Sequence, residues 1–449
     1  MEATKLLRKY NIAAPRYTSY PTVPYWDNEN FAAAHWKNKL VAAYKEHHNE
    51  GISLYIHLPF CESLCTYCGC NTRITKNHGV ELPYIDALLK EWEMYCALLG
   101  EQPKIKEIHL GGGTPTFFSA ANLKALLETI AGGSQFDEDA ACSFEGHPDN
   151  TTAEHLKTLR ELGFRRLSLG IQDFDPKVQF MINRYQTPEQ VNNISKLARE
   201  LGYQSINFDL IYGLPGQNIT GLTETIEETI AIKPDRIAFY SYAHVPWIKA
   251  GQRHFTESDI PQGDEKFALY QKGRAMLVAA GYEEIGMDHF ALKTDSLYIA
   301  SEQRKLHRNF MGYTDHHTPI LLGLGVSAIS DCGTAFAQNA KTVEEYKSFI
   351  LSEDLAVQKG HLLTKEDLYI RKHILNLMCQ NSTCFTEGIS QEVIERLQPM
   401  ISDSLVEIIN KEGVKILPAG KSFLRNVCMA FDERLWQKQP QKQLFSASI

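Results

Sequence analysis

A chain of 449 residues is long enough for two or three domains and a large core, and with 43% apolar and 22% charged residues it is ordinary for a soluble globular protein. Lys and Arg total 46 against 54 Asp and Glu, a formal charge of −8, and no dense basic tract occurs, which argues against nucleic acid as a partner. The N-terminal run Met1 to Tyr10 is too polar for a signal peptide. The most apolar stretch, Pro319 to Ile329, is too short to span a bilayer, so a cytoplasmic location with no membrane partner is expected. Ten cysteines are not a disulfide-dense composition and suit a reducing compartment.

In chain order, Ser53–Leu58 reads as a strand that leads into a cysteine loop. A helix is predicted near 83–99, with Ile85, Leu88, Leu89 and Trp92 at helical spacing. Strand patterns recur at 106–110, 142–145, 167–171, 206–210 and 236–240. Helices are predicted between them near 122–130, 153–162, 189–201 and 222–230. This alternation predicts a parallel sheet with helical crossovers. Six units are too few for a closed eight-stranded barrel. The fold class expected is therefore α/β, a partial (β/α)6 barrel with a small, mainly α-helical C-terminal domain, winged-helix-like, with strand pieces near 414–417. The expected divisions are 1–49, an N-terminal segment covering the substrate; 50–290, the catalytic barrel; 291–360, a barrel extension with active-site loops; and 361–449, the C-terminal domain.

Chemistry points to the strand ends, where active sites of such sheets lie. Cys61, Cys65 and Cys68 stand in C-x3-C-x2-C spacing. Three thiolates on a four-iron cluster leave one iron open to bind a reactant. Structural zinc on these three and Cys70 is the alternative, and the chain has no second C-x2-C pair to favour it. The run Gly111-Gly112-Gly113-Thr114-Pro115 directly follows a strand, as a tight turn or a ligand-approaching backbone would. Glu145, Gln172, Asp173 and Asp209 fall at strand ends, where a carboxylate is costly unless partnered. Arg184 is ordinary as a single residue, though an Arg fork suits a carboxylate. His57 fits a satisfied core histidine better than a cluster ligand. His289 and the His307-Arg308 pair read equally as structural or substrate-facing, and Tyr55 and Tyr67 as packing or stacking aromatics.

The cysteine spacing resembles the signature of the radical S-adenosylmethionine (SAM) enzymes. Over nearly the whole chain the pattern is similar to one branch of them, the oxygen-independent coproporphyrinogen III oxidases (coproporphyrinogen dehydrogenases). The matching strings include Pro15-Arg16-Tyr17-Thr18-Ser19-Tyr20-Pro21-Thr22, Cys68-Gly69-Cys70-Asn71, Gly111–Pro115, Phe208-Asp209-Leu210-Ile211-Tyr212-Gly213-Leu214-Pro215 and Gly323–Ser330. Haem-chaperone-like relatives keep the cysteines but usually continue with Asp-Phe rather than Cys-Asn. The resemblance implies a [4Fe-4S] cluster on Cys61, Cys65 and Cys68, with Cys70 not a ligand. It implies two SAM molecules, held by Tyr55, Tyr67, Gly112, Gly113, Thr114, Glu145, Gln172, Arg184, Asp209, Ala243 and Ile329. It implies a 5′-deoxyadenosyl radical that decarboxylates two propionates of coproporphyrinogen III to vinyl groups, giving protoporphyrinogen IX in haem biosynthesis. No catalytic side chain beyond cluster and SAM is then expected. An electron donor and an electron acceptor outside the chain are required, and the chain is expected to be monomeric. Four substrate propionates call for basic residues, of which Arg16, Arg73 and Arg308 are the candidates. Where relatives often have Glu-x-Asp-Pro, this chain has Glu145-Gly146-His147-Pro148, and the role of His147 is open. A haem-binding carrier on the same scaffold is the rival reading.

Overall fold

A computed structural model describes residues 2–132, 136, 139–386, 388–410, 412–438 and 444–446. Six parallel strands, Ile52–Leu58, Ile105–Gly112, Ala141–Gly146, Arg166–Gln172, Ser205–Tyr212 and Arg236–Ser241, lie side by side in sequence order. The helices Glu81–Leu99, Ala120–Ile130, Ala153–Glu161, Pro188–Glu200 and Ile219–Ile232 alternate with them. Local chemistry sets several helix starts. Ser119, Thr152, Thr187 and Asn218 each accept a backbone N–H of the first turn, supplying partners that the helix itself lacks. This is the expected partial (β/α)6 barrel.

The strands alternate sharply between their two faces. Leu54, Ile56, Ile108, Leu110, Phe144, Leu167, Leu169 and Phe208 are buried in the apolar core. The other face carries Tyr55, His109, Ser143, Glu145, Ser168, Asn207, Asp209, Arg236 and Tyr240, and register places these side by side: Tyr55 against His109, His109 against Ser143, Glu145 against Ser168, Ser168 against Asn207. A barrel lined with polar groups holds ligand and solvent rather than an apolar plug.

The sheet is larger than six strands. Among the described residues its twelve strands include a seventh parallel one, Leu321–Leu324, paired with Ile52–Leu58 on the side away from Ile105–Gly112. Beyond it run the antiparallel strands Ile329–Asp331, Ala335–Asn339 and Val357–Leu362, and at the other edge Tyr282–Ile285 and His289–Leu292. The turn after the seventh strand is fixed from inside. Buried Glu91 accepts from Gly325 N at 2.8 Å, Asn339 Nδ2 at 2.7 Å and Tyr346 Oη at 2.7 Å. Burial pushes its carboxyl up to about 7, and these donors oppose the shift.

The C-terminal region packs the helices Lys365–Gln380, Gln391–Ser402 and Leu424–Met429 with a three-stranded antiparallel ribbon, Ser382–Cys384, Gly413–Ile416 and Val406–Ile409. Leu7, Tyr10, Tyr17 and Tyr20 of the N-terminal segment join one continuous apolar core with the barrel and with Phe423, Val427 and Phe431. No helix among the described residues is long and apolar enough to cross a membrane.

Candidate active site

The cysteine loop leaves the first strand at Pro59. Cys61 lies on a two-residue strand, Phe60–Cys61, paired with Arg73–Ile74. The glycine run closes on this loop from the second strand: Gly113 N donates to Leu58 O at 2.8 Å and Thr114 N to Phe60 O at 3.1 Å. A side chain does not fit here. A Cβ on Gly113 would stand 2.6 Å from the Pro59 backbone, and one on Gly112, at φ +119°, would stand 2.9 Å from the His57 ring. The run is therefore a close-approach backbone and not an ordinary turn. His57 is satisfied in this role, with Nδ1 3.0 Å from Tyr55 Oη and Nε2 2.8 Å from Asn71 O.

Cys61, Cys65 and Cys68 are all partly exposed and line one cavity of about 560 Å³ with Tyr67, Gly112, Gly113, Thr114, Glu145, Gln172, Arg184 and Asp209. Tyr55, Ala243 and Ile329 do not line it. Tyr55 stacks on His109 and packs where a Cβ on Gly111 would fall, and Ile329 O abuts Gly323. Thr114 Oγ1 is 3.3 Å from Cys61 Sγ, and Arg184 Nη1 donates to Cys65 Sγ at 3.7 Å. Arg184 also donates twice to Gly170 O, so it ties the thiol loop to the fourth strand. Exposed Cys70 donates its N–H to Cys68 Sγ at 3.4 Å. The Cys70 thiol, helped by this N–H, draws the Cys68 thiol below its usual value, while burial pushes Cys61 up to about 11.

Across the cavity, Glu145 accepts from Gly112 N at 3.2 Å and lies 3.4 Å from His109 Nε2. Burial would raise its carboxyl, but His109, Gly112 and His57 hold it below the usual value. Burial and the Glu145 charge push Asp209 up to about 6. Gln172 is buried in the left-handed region at φ +68°, at a bulge between Gly170 and Gln172, a strained backbone of the kind that clusters at functional sites. Asp173 points instead into the fold and accepts from Gln217 at 2.6 Å and Thr225 at 2.8 Å. His147 lines the cavity, and its Nδ1 accepts the Asp149 N–H at 3.1 Å. Burial holds its imidazole neutral, so the ring proton is on Nε2.

Several residues that shape the site have no local signal in the sequence. Gln252, 1% exposed, donates to Tyr67 O at 2.8 Å and Ala243 O at 3.2 Å, which pins the tail of the sixth strand to the cysteine loop. Asn183 Nδ2 donates to Leu64 O at 2.8 Å and Lys249 Nζ to Cys70 O at 3.0 Å. Of the expected basic residues, Arg73 is exposed and pairs with Glu344 at 3.2 Å, whereas Arg308 is buried. His289 is bonded to Asp288 at 2.7 Å. His307 lies against His317 in a separate cleft of about 820 Å³ that also contains Ser53 and Leu321, at the N-terminal ends of their strands. That cleft is larger than the thiol cavity, but no cysteine of the C-x3-C-x2-C loop lines it.

Three soft donors beside a glycine cradle, two carboxylates and a guanidinium fit an iron–sulfur cluster with one open iron and a zwitterionic ligand. Among the described residues no three His, Cys, Asp or Glu side chains converge on a single metal position. Cubane ligands bind three separate irons and need no such point, so the donor set suits a cluster better than one zinc ion.

Comparison with known proteins agrees. Residues 55–229 match the Radical SAM superfamily. The oxygen-independent coproporphyrinogen III oxidase of Pseudomonas aeruginosa is 38% identical, with 96% of this chain and 95% of the relative covered. The enzyme of the same name from Escherichia coli is 37% identical over 98% of this chain and 96% of its own length. The solved structure of coproporphyrinogen III oxidase (HemN) from Escherichia coli, described as a radical SAM enzyme, superposes with a TM-score of 0.87 and covers 93% of this chain and 97% of its own. An identity of this size along almost the full length of each partner shows the family, and the chain belongs to the oxygen-independent coproporphyrinogen III oxidases, oxidoreductases of the radical SAM superfamily.

Proposed function

We propose that the chain oxidatively decarboxylates two propionate side chains of coproporphyrinogen III to vinyl groups without oxygen, giving protoporphyrinogen IX. The observation that carries this reading is the convergence of Cys61, Cys65 and Cys68 with Gly112, Gly113, Glu145 and Arg184 on one cavity, in a chain whose full-length relatives are named for this activity.

Cys61, Cys65 and Cys68 would hold the [4Fe-4S] cluster. Tyr55, Tyr67, Gly112, Gly113, Thr114, Glu145, Gln172, Arg184, Asp209, Ala243 and Ile329 would hold SAM, with two molecules matching two decarboxylations. Bound together, cluster and SAM supply a 5′-deoxyadenosyl radical, which can remove hydrogen from an unactivated carbon β to a carboxylate. The chain's own residues bind and orient. The Arg184 fork suits a carboxylate, and Glu145 and Asp209 suit an ammonium or ribose hydroxyls. The polar wall Tyr55, His109, Asn207 and Tyr240 shapes the space beneath. No side chain needs to move a proton from carbon, because hydrogen leaves as an atom, the carboxylate leaves as CO2, and one electron passes to an acceptor outside the chain.

The test is anaerobic incubation of cluster-reconstituted protein with coproporphyrinogen III, SAM, a strong reductant and an electron acceptor. About two methionines and two 5′-deoxyadenosines should form per protoporphyrinogen IX, one SAM for each propionate. SAM cleavage with all four carboxylates retained would reject the substrate. Tight haem binding without productive SAM cleavage would favour the carrier reading.

A further inference from the structure

Beside the thiol cavity, the rim of the barrel carries positive charge with little carboxylate to balance it. Arg16 comes from the N-terminal segment, Lys266 from the helix Gly263–Ala279, and Arg308 from the short strand His307–Asn309. Each donates to backbone carbonyls: Arg16 Nη2 to Ser241 O at 2.8 Å, Lys266 Nζ to Tyr242 O at 2.9 Å, and Arg308 Nη2 to Arg16 O at 3.4 Å. Among the described residues none of the three forms an ion pair with a carboxylate. Arg425 joins them from the C-terminal region, with Nε on Pro15 O at 3.1 Å. The acid that Arg16 and Arg308 share is Asp288, which already accepts from His289 at 2.7 Å.

Two features point to a missing anion. Arg308 is 5% exposed, and its Nε is a buried donor with no hydrogen-bond partner. Arg16, Arg425 and Asp288, with Tyr212 and Ser241, wall a hollow of about 30 Å³, room for a group of carboxylate size, which Lys266 and Arg308 adjoin through their bonds to Tyr242 O and Arg16 O without lining it. Buried cations normally sit with counter-charge, because an unpaired charge in a low-dielectric site is expensive. Burial, reinforced by Arg16 and Arg425, pushes the Lys266 ammonium down to about 7, a measure of how crowded the positive charge is.

We propose that Arg16, backed by the neighbouring charges of Lys266 and Arg308, forms a carboxylate-binding subsite for a propionate that the substrate retains. This rests on the function proposed above and adds the place where the macrocycle is held. Tyr240 connects the two regions: it lines the thiol cavity, and the Arg16 guanidinium lies 5.9 Å from its ring centroid. The assignment to a retained propionate follows from charge. A reacting carboxylate must give up its negative charge as CO2 departs, so cations gripping it would hold back the reaction. Cations gripping a carboxylate that stays anchor the substrate at no such cost. The three contributing residues come from three distant parts of the chain, so the subsite exists only when the N-terminal segment lies against the barrel.

The experiment measures steady-state kinetics of cluster-loaded full-length Arg16→Gln, Arg16→Lys and Lys266→Gln. For Arg16→Gln and Lys266→Gln the KM for coproporphyrinogen III should rise about tenfold or more, the loss expected for one charge-assisted hydrogen bond, with the KM for SAM unchanged. Arg16→Lys should recover part of the loss. If Arg16→Gln does not fold, Lys266→Gln carries the same test. An unchanged KM for coproporphyrinogen III overturns the subsite, and so does an equal rise in both KM values, which marks a structural role only. A wild-type enzyme that turns over no coproporphyrinogen III overturns the functional reading instead, and the subsite falls with it.

Discussion

Arg184 joins the two halves of the thiol cavity through a single guanidinium, donating to Cys65 Sγ and to Gly170 O. A fork that can also reach a ligand carboxylate should contribute roughly 1.5–3 kcal/mol to SAM binding, the range for hydrogen bonds to charged groups. Arg184→Ala is therefore expected to weaken SAM affinity by that amount and to retain its iron and sulfide, since the three thiols remain. Equilibrium binding on cluster-loaded protein checks this, and unchanged affinity would remove Arg184 from the SAM site. The cavity residues were legible in the sequence wherever function sits in short strings just past a strand, as with the cysteine loop, Gly111–Pro115 and Glu145. The same strings read without structure left Gly112 open as a simple turn. The His57 ring beneath it and the Pro59 backbone beside Gly113 are what decide the matter. Gln252, Asn183 and Lys249 were not legible, because their partners in the cysteine loop lie 115 or more residues away in the chain and no periodicity marks such a contact.

At the scale of elements, the six barrel strands were readable because each is a short apolar run followed by an amphipathic helical stretch, the pattern of parallel strands with helical crossovers. Local pattern does not reveal the seventh strand, Leu321–Leu324. It is four residues long and joins the parallel strands through pairing with one about 270 residues earlier, an order that local pattern does not encode. Polar closure of the barrel interior was equally hidden. Arg166 pairs with Asp315 at 2.7 Å, Arg236 with Asp295 at 2.6 Å and with Asp315 at 3.4 Å, and Thr314 Oγ1 donates to Glu107 at 3.1 Å. Burial alone would raise the Asp315 carboxyl, but Arg166 and Arg236 hold it well below the usual carboxylate range. Because the folded value lies below the unfolded one, the unfolded chain binds the extra proton as acid is added. The stabilisation is complete above the unfolded value near 4 and is lost as pH falls through the folded value. Asp315→Asn is thus expected to cost about 3 kcal/mol at pH 7, since it leaves two arginines facing a neutral group, and to flatten the decline of stability between about pH 4 and 2. Urea denaturation across that range measures both. An unaltered midpoint at pH 7 would show that the arginines re-pair at no cost.

For the whole molecule, the N-terminal segment and the C-terminal region form a clasp around the barrel. Lys9 Nζ and Tyr10 Oη both donate to Asp403 at 2.6 Å, Asn426 Nδ2 donates to Tyr10 O at 2.8 Å, and buried Tyr17 donates to buried Asp432 at 3.0 Å. The exposed pair Lys9–Asp403 adds little, as surface ion pairs do. The Tyr17–Asp432 bond differs, because both partners are within 2% of full burial and no solvent can replace a lost donor. Burial pushes Asp432 up to about 6, and Tyr17 and Leu435 N–H oppose the rise. Its folded value stands above the unfolded one, so its favourable contribution is full below about pH 4 and fades as pH rises through about 6. Removing the phenol oxygen takes away a donor to a group that is charged above that value. Tyr17→Phe should then lower stability by about 1–3 kcal/mol at pH 8 and by less at pH 5, where the protonated carboxyl demands less of its partners. Because neither partner lines the thiol cavity, iron content should not change, while the N-terminal segment that carries Arg16 should become easier to cleave. Limited proteolysis and denaturant titration at the two pH values read this out. A loss of stability that is equal at pH 5 and pH 8 would mean that the clasp owes nothing to the Asp432 charge, and no loss at either pH would mean that Tyr17 contributes through its ring alone.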